Sequence, residues 1–135
     1  VTYALGARSL RRLEGVHPDL VRVVKRAISN SPFDFTVTEG LRTLRRQQEL
    51  FAQGASQTLN SRHLTGHAVD LAVILDGEVR WDWPLYTRLH SVMADAARIE
   101  KVPIEWGGSW KRLKDGPHFQ LPWKQYPAQK KETAQ

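Results

Sequence analysis

The apolar positions of this chain change period several times, and each change marks an element. Pro18 opens "PDLVRVVKRAI", where Leu20, Val23, Val24, Ala27 and Ile28 share one face and Arg22, Lys25 and Arg26 the other. This spacing predicts an amphipathic helix with proline in its first turn. "SNSPFD" breaks it, and "FTVTEG" reads as a short strand. "LRRQQELFAQG" predicts a second helix, capped by Thr43 and ended by Gly54, followed by a polar loop over residues 55–62. From Ala68 to Val73 the period is two, with Val69, Leu71 and Val73 on one face and Ala68, Asp70 and Ala72 on the other. "DG" at 76–77 predicts a hairpin with "EVRW" as its return. Pro84 starts a third helix, Leu85 to Glu100, that buries Leu85, Leu89, Val92, Met93 and Ala96.

"PIEWGG" and "HFQLP" then read as two closing strands joined by "SWKRLKDGP". From Pro122 the chain is basic and poor in apolar residues, so residues 122–135 are expected to form a flexible tail on a single domain of residues 1–121. No repeat or interdomain linker interrupts the pattern. The order of elements predicts an α+β fold, a small antiparallel sheet with about three helices packed around it.

Composition narrows the chemistry. A chain of 135 residues with 41% hydrophobic and 25% charged residues has the make-up of one globular domain with its own core. Cysteine is absent, which excludes a disulfide framework, a thiolate metal site and a cysteine nucleophile. A G-x-S-x-G elbow is also missing. The net charge of +6 favours polyanionic partners without choosing among them. No apolar run reaches the roughly 18 residues of a membrane span. The opening "VTYALGARSLRRLEG" lacks the pattern of a signal peptide. Neither membrane insertion nor standard export is expected.

Asp70 is the residue that needs explaining, because a carboxylate on the small-residue face of a strand is solvated, paired with a base, or on a metal. His63, Asp70 and His118 offer two imidazoles and one carboxylate, the donor set of a catalytic zinc that keeps a fourth position for water. Asp115 precedes His118 by three residues across a Gly-Pro turn, so both side chains would reach one cavity. There a carboxylate that is not a ligand would move protons, and Arg42 would stabilise a developing oxyanion. Trp110, after a glycine-rich turn, is expected in the cleft wall, and Trp81, Trp83 and Trp123 in packing roles. His67 is read as a surface or near-site residue, and His17 and His90 as residues at and on helices.

Ser61-x-His63-x-x-Gly66-x-Ala68-x-Asp70 resembles the S-x-H-x-x-G-x-A-x-D signature of the D-alanyl-D-alanine carboxypeptidase type of LAS zinc peptidases. "TEGLRT", with Gln47 five residues after Arg42, resembles that family's arginine block, and "WGGSWKRLKDGPHFQL" its closing block. The resemblance implies a LAS/hedgehog-like fold and one zinc per chain on His63, Asp70 and His118. It also implies Asp115 as catalytic base, Arg42 as substrate and transition-state contact, and Ser61, Gln47 and Trp110 along the substrate cleft. The Asp-x-x-His ending and the length look most like the L-alanyl-D-glutamate endopeptidases of phage endolysins. Where many relatives read W-G-G-D-W, this chain has Ser109.

The implied function is a zinc-dependent peptidoglycan hydrolase, an endolysin that cleaves the L-alanyl-D-glutamate bond of the stem peptide, expected to act as a monomer on the cell wall after release from the host cytoplasm. A D-alanyl-D-alanine carboxypeptidase and a non-catalytic zinc-stabilised binding module are the alternatives. A nucleic-acid binder is suggested by charge and tryptophans alone and lacks any recognition motif.

Overall fold

A computed structural model describes residues 2–56 and 58–128. Its helices are α1 (Ala7–Arg12), α2 (Pro18–Asn30), α3 (Leu44–Ala52) and α4 (Trp83–Glu100). Its strands are β1 (Asp34–Glu39), β2 (Ala68–Leu75), β3 (Glu78–Arg80), β4 (Glu105–Trp106) and β5 (His118–Gln120). Short 3-10 turns cover Arg62–Thr65 and Gly107–Ser109. The antiparallel sheet runs β1-β2-β5-β4, with β3 paired to the far end of β2. The α+β expectation therefore holds.

The core lies between the sheet and the α2–α4 pair. Leu20, Val23, Val24 and Ala27 of α2 and Leu89 and Met93 of α4 meet Val69, Leu71 and Val73 of β2, all fully buried. The period-two reading of β2 is correct for this face. Ala68 and Ala72 on the opposite face are buried too, leaving Asp70 as the partly open position among them. Thr43 caps α3 by accepting from the Arg46 N–H, and Asp76 and Gly77 both take positive φ in the predicted hairpin turn.

The sheet and the three expected helices are present, and α1 adds a short fourth. Its six residues are too short to show a stripe, and it forms because β1 needs a cover. Ser9 Oγ accepts the Val37 N–H and Arg12 Nη1 donates to the Val37 carbonyl, so α1 satisfies the open edge of the sheet.

One expectation needs correction, the flexible tail, over its described residues 122–128. Residues 122–128 fold back on the domain instead of hanging free, because a buried cation holds them. Arg62, only 2% exposed, donates to the carbonyls of Leu121 and Tyr126 and sits 4.2 Å from the centre of the Trp123 ring. Tyr126 packs against the core and donates its hydroxyl to Asp19 at 2.6 Å. Lys124 is exposed, and the expected tail residues Lys130 and Lys131 lie outside the described residues.

Candidate metal centre and active site

The two histidines and the aspartate come from different parts of the chain and meet through sheet register. Asp70 of β2 lies opposite His118 of β5. His63 stands on the 3-10 turn before β2, which Ser61 caps by accepting the His63 N–H at 3.1 Å. Gly66 ends that turn at φ +77°, and a Cβ there would fall 2.2 Å from the Gly15 carbonyl oxygen, so the H-x-x-G spacing has a steric origin. One donor atom each from His63, Asp70 and His118 lies within 4.8 Å of the others.

His63 Nε2 and His118 Nδ1 stand 3.2 and 3.1 Å from the same Asp70 Oδ1. Each ring's other nitrogen faces an acceptor: His63 Nδ1 is 2.7 Å from the Gly40 carbonyl, and His118 Nε2 is 2.7 Å from Gln120 Oε1. With the far nitrogens carrying hydrogens, the near nitrogens turn lone pairs toward a carboxylate. A cation among the three resolves that conflict, so the donor set fits a divalent metal such as zinc. The electrostatics agree: burial pushes the Asp70 carboxyl up, but the His118 and His63 hydrogen bonds outweigh it and hold the group well below its ordinary value. Burial lowers His118, and the Asp70 contact overrides this and raises it.

A cavity of about 830 Å³ opens over this cluster, lined among others by Arg42, Ser61, Trp110, Asp115 and Trp123. Asp115 is held in place by its backbone, since its N–H donates to Gly107 O and its carbonyl accepts from the His118 N–H. A Cβ on Gly107 would lie 2.4 Å from the Asp115 carbonyl oxygen, which explains a glycine in "WGGSW". Trp106 Nε1 donates to Gly116 O at 2.7 Å and fixes the other side of the same loop. Burial first, and the Asp70 charge second, raise the Asp115 carboxyl above its ordinary value. That direction suits a proton-transferring group.

Arg42 is almost sealed and doubly held. Glu39 takes its guanidinium at 2.9 and 2.5 Å, and Nη2 stands 3.9 Å from Asp70 Oδ2. Trp110 stands with its ring centre 5.1 Å from that of His118. Gln47, expected along the substrate cleft, does not line the cavity and is 0% exposed. Its Oε1 accepts from Arg42 Nη1 at 2.6 Å, while its amide donates to Ser56 and Thr58, so it holds Arg42 from behind. Ser109 is exposed on its turn. Glu39, Gly40, Glu105 and Gln120 were not singled out from the sequence. Only two had a local signal: Glu39 at three residues before Arg42, and Gln120 at two after His118 on the same strand face.

Fold and site define a LAS-type zinc peptidase, and comparison with known proteins agrees. Residues 1–121 match the family described as phage L-alanyl-D-glutamate peptidase. The L-alanyl-D-glutamate peptidase of Escherichia phage T5 is 29% identical over 82% of this chain and 83% of its own. The peptidoglycan L-alanyl-D-glutamate endopeptidase CwlK of Bacillus subtilis is 33% identical over 73% of this chain and 66% of its own. The crystal structure of Serratia marcescens L-Ala D-Glu endopeptidase ChiX superposes with a TM-score of 0.88 at 51% identity, covering 93% of this chain and 96% of that one. The D,D-dipeptidase VanXYg shares the fold at a TM-score of 0.52 and 16% identity, over 78% of this chain and 50% of that one. The chain belongs to the L-alanyl-D-glutamate peptidase family of LAS-type zinc peptidases.

Proposed function

We propose that this protein is a zinc-dependent endopeptidase that cuts the L-alanyl-D-glutamate bond of the peptidoglycan stem peptide. The observation that carries this is the convergence of His63, Asp70 and His118 within 4.8 Å beneath a cavity that Asp115 and Arg42 also line. His63, Asp70 and His118 would hold one zinc per chain. Zinc bound there acts as a Lewis acid on the scissile carbonyl and lowers the pKa of water.

The remaining work falls to the protein. Asp115, outside the ligand set, takes a proton from the attacking water and returns it to the leaving amine. Arg42, oriented by Glu39 and Gln47, offers positive charge where the oxyanion develops. Ser61 and Trp110 line the approach to the bond.

The cavity's charge suits a substrate whose leaving half carries a carboxylate, and amidation of that group distinguishes the glutamyl bond. Arg42 is paired with Glu39 and Arg46 with Glu49. Arg112 and Lys114 also line the cavity and have no carboxylate partner among the described residues. A glutamate residue has two carboxyl groups and only one continues the chain, so the leaving half of the substrate brings a free carboxylate to these cations.

Mass spectrometry of muropeptides digested with and without a chelator tests the reading. Cleavage between L-alanine and D-glutamate is expected, abolished by chelation and restored by zinc, with slower turnover of stems whose free glutamyl carboxyl is amidated. Release of D-alanine alone would support the carboxypeptidase reading. Binding without any product would support the non-catalytic one.

A further inference from the structure

His63 and His118 are tied at their far nitrogens by different means. The partner of His63 is a backbone carbonyl, Gly40 O. The partner of His118 is a side chain, Gln120, which in turn is held by another, Glu105. Glu105 of β4 lies directly opposite Gln120 of β5. Gln120 Nε2 donates to Glu105 Oε1 at 3.0 Å, and Gln120 Oε1 is 2.7 Å from His118 Nε2. Gln120 is buried and Glu105 is exposed.

These contacts have one consistent polarity. A carboxylate only accepts, so the Gln120 NH2 must face Glu105 and its oxygen must face His118. That oxygen also only accepts, so His118 Nε2 must carry its hydrogen. The lone pair is then on Nδ1, the atom that stands 3.1 Å from Asp70 Oδ1 inside the metal cluster.

We infer that Glu105 and Gln120 form a relay that holds His118 in its Nε2–H tautomer and so presents Nδ1 to the metal, with Glu105 acting as a positioning residue two hydrogen bonds from the site. The relay rests on the metal reading of the cluster given above.

The test is zinc affinity, measured by competition with a chromogenic chelator, with the melting temperature of each metal-free variant as the check on folding. Q120L removes the acceptor and is expected to weaken zinc binding about 10- to 100-fold. E105Q leaves an amide pair that can reverse its polarity and is expected to have a smaller loss. The informative variant exchanges the two groups, E105Q with Q120E. There the new amide donates to the new carboxylate, which accepts from His118 Nε2–H, and the polarity of the chain is restored.

The exchanged protein should bind zinc more tightly than E105Q and close to the wild type. A purely structural role for the pair predicts no such rescue. Zinc affinity unchanged in Q120L would overturn the relay. So would an exchanged pair that binds no better than E105Q, and this comparison stands even if Q120L does not fold. Wild-type protein that binds no zinc would instead defeat the reading of the site itself.

Discussion

The molecule contains two histidine pairs of nearly the same spacing and opposite character. His63 and His118 have ring centres 5.1 Å apart, and His17 and His67 have theirs 5.5 Å apart. In the first pair Asp70 stands between the near nitrogens and the site faces a cavity. In the second, His67 Nδ1 meets Thr65 Oγ1 at 2.6 Å, and His17 Nδ1 accepts the Asp19 N–H at the start of α2. Asp19, at the start of α2, is already taken by Tyr126 and Arg22. The charge felt by His67 is positive: burial first, then Arg62 and His17, push it down to about 4, whereas Asp70 pulls His118 up. Two imidazoles side by side are therefore not a metal site. A carboxylate between them, acceptors behind them and access for substrate make the difference.

Substituting ligands should separate the pairs most sharply. His63→Ala, Asp70→Ala and His118→Ala are each expected to lose both bound zinc and measurable hydrolysis, while His67→Gln keeps its metal and most of its activity. Elemental analysis beside a turnover assay reads both, and a metal-free His67→Gln would erase the distinction.

Asp115→Ala should next separate proton transfer from metal binding, with hydrolysis reduced by roughly two to four orders of magnitude and zinc content near that of the wild type. A metal-free variant would make Asp115 a ligand.

A third experiment addresses the region around the second pair. Ending the chain after Trp123 removes the Tyr126 carbonyl from buried Arg62 and the Tyr126 hydroxyl from Asp19. A loss of about 2–4 kcal/mol in unfolding free energy is expected. Ending it after Ala128 keeps both contacts and should leave the protein more stable than ending it after Trp123 by about that amount. Equal denaturation midpoints for the two truncations would show that the clasp contributes nothing.

The smallest effect concerns pH. His67 is lower in the folded chain than the ordinary histidine value of 6.5, so between about 6.5 and 4 the unfolded state binds more protons. Its contribution is complete above 6.5 and is lost as pH falls toward 4. Metal-free wild type should lose about 1–3 kcal/mol more than His67→Gln across that window. Parallel stability curves for the two proteins would contradict this.

Local pattern carried much of the fold because its causes are local. The α2 stripe, the Thr43 cap, the Asp76-Gly77 turn and the alternation in β2 depend on neighbours within four residues, and all appear as expected. The donor residues were legible for a different reason. Histidine and aspartate at these spacings, with Asp115 beside them, are uncommon without a chemical use, and the resemblance supplied the roles that spacing alone left open.

What escaped the sequence depends on contacts far along the chain. Helix α1 exists to satisfy the edge of β1, some 27 residues away from Ser9. Residues 122–128 fold back because Arg62 finds carbonyls 59 and 64 residues later. Gln47 was expected along the substrate cleft, and only the packing of α3 shows it turned inward to hold Arg42. The sequence thus singled out His63, Asp70 and His118 as candidate donors, and the structure brings them together. The tertiary structure decided which nitrogen of each histidine faces Asp70, because tautomer and orientation follow from hydrogen-bond partners that register brings together and that no short-range pattern encodes.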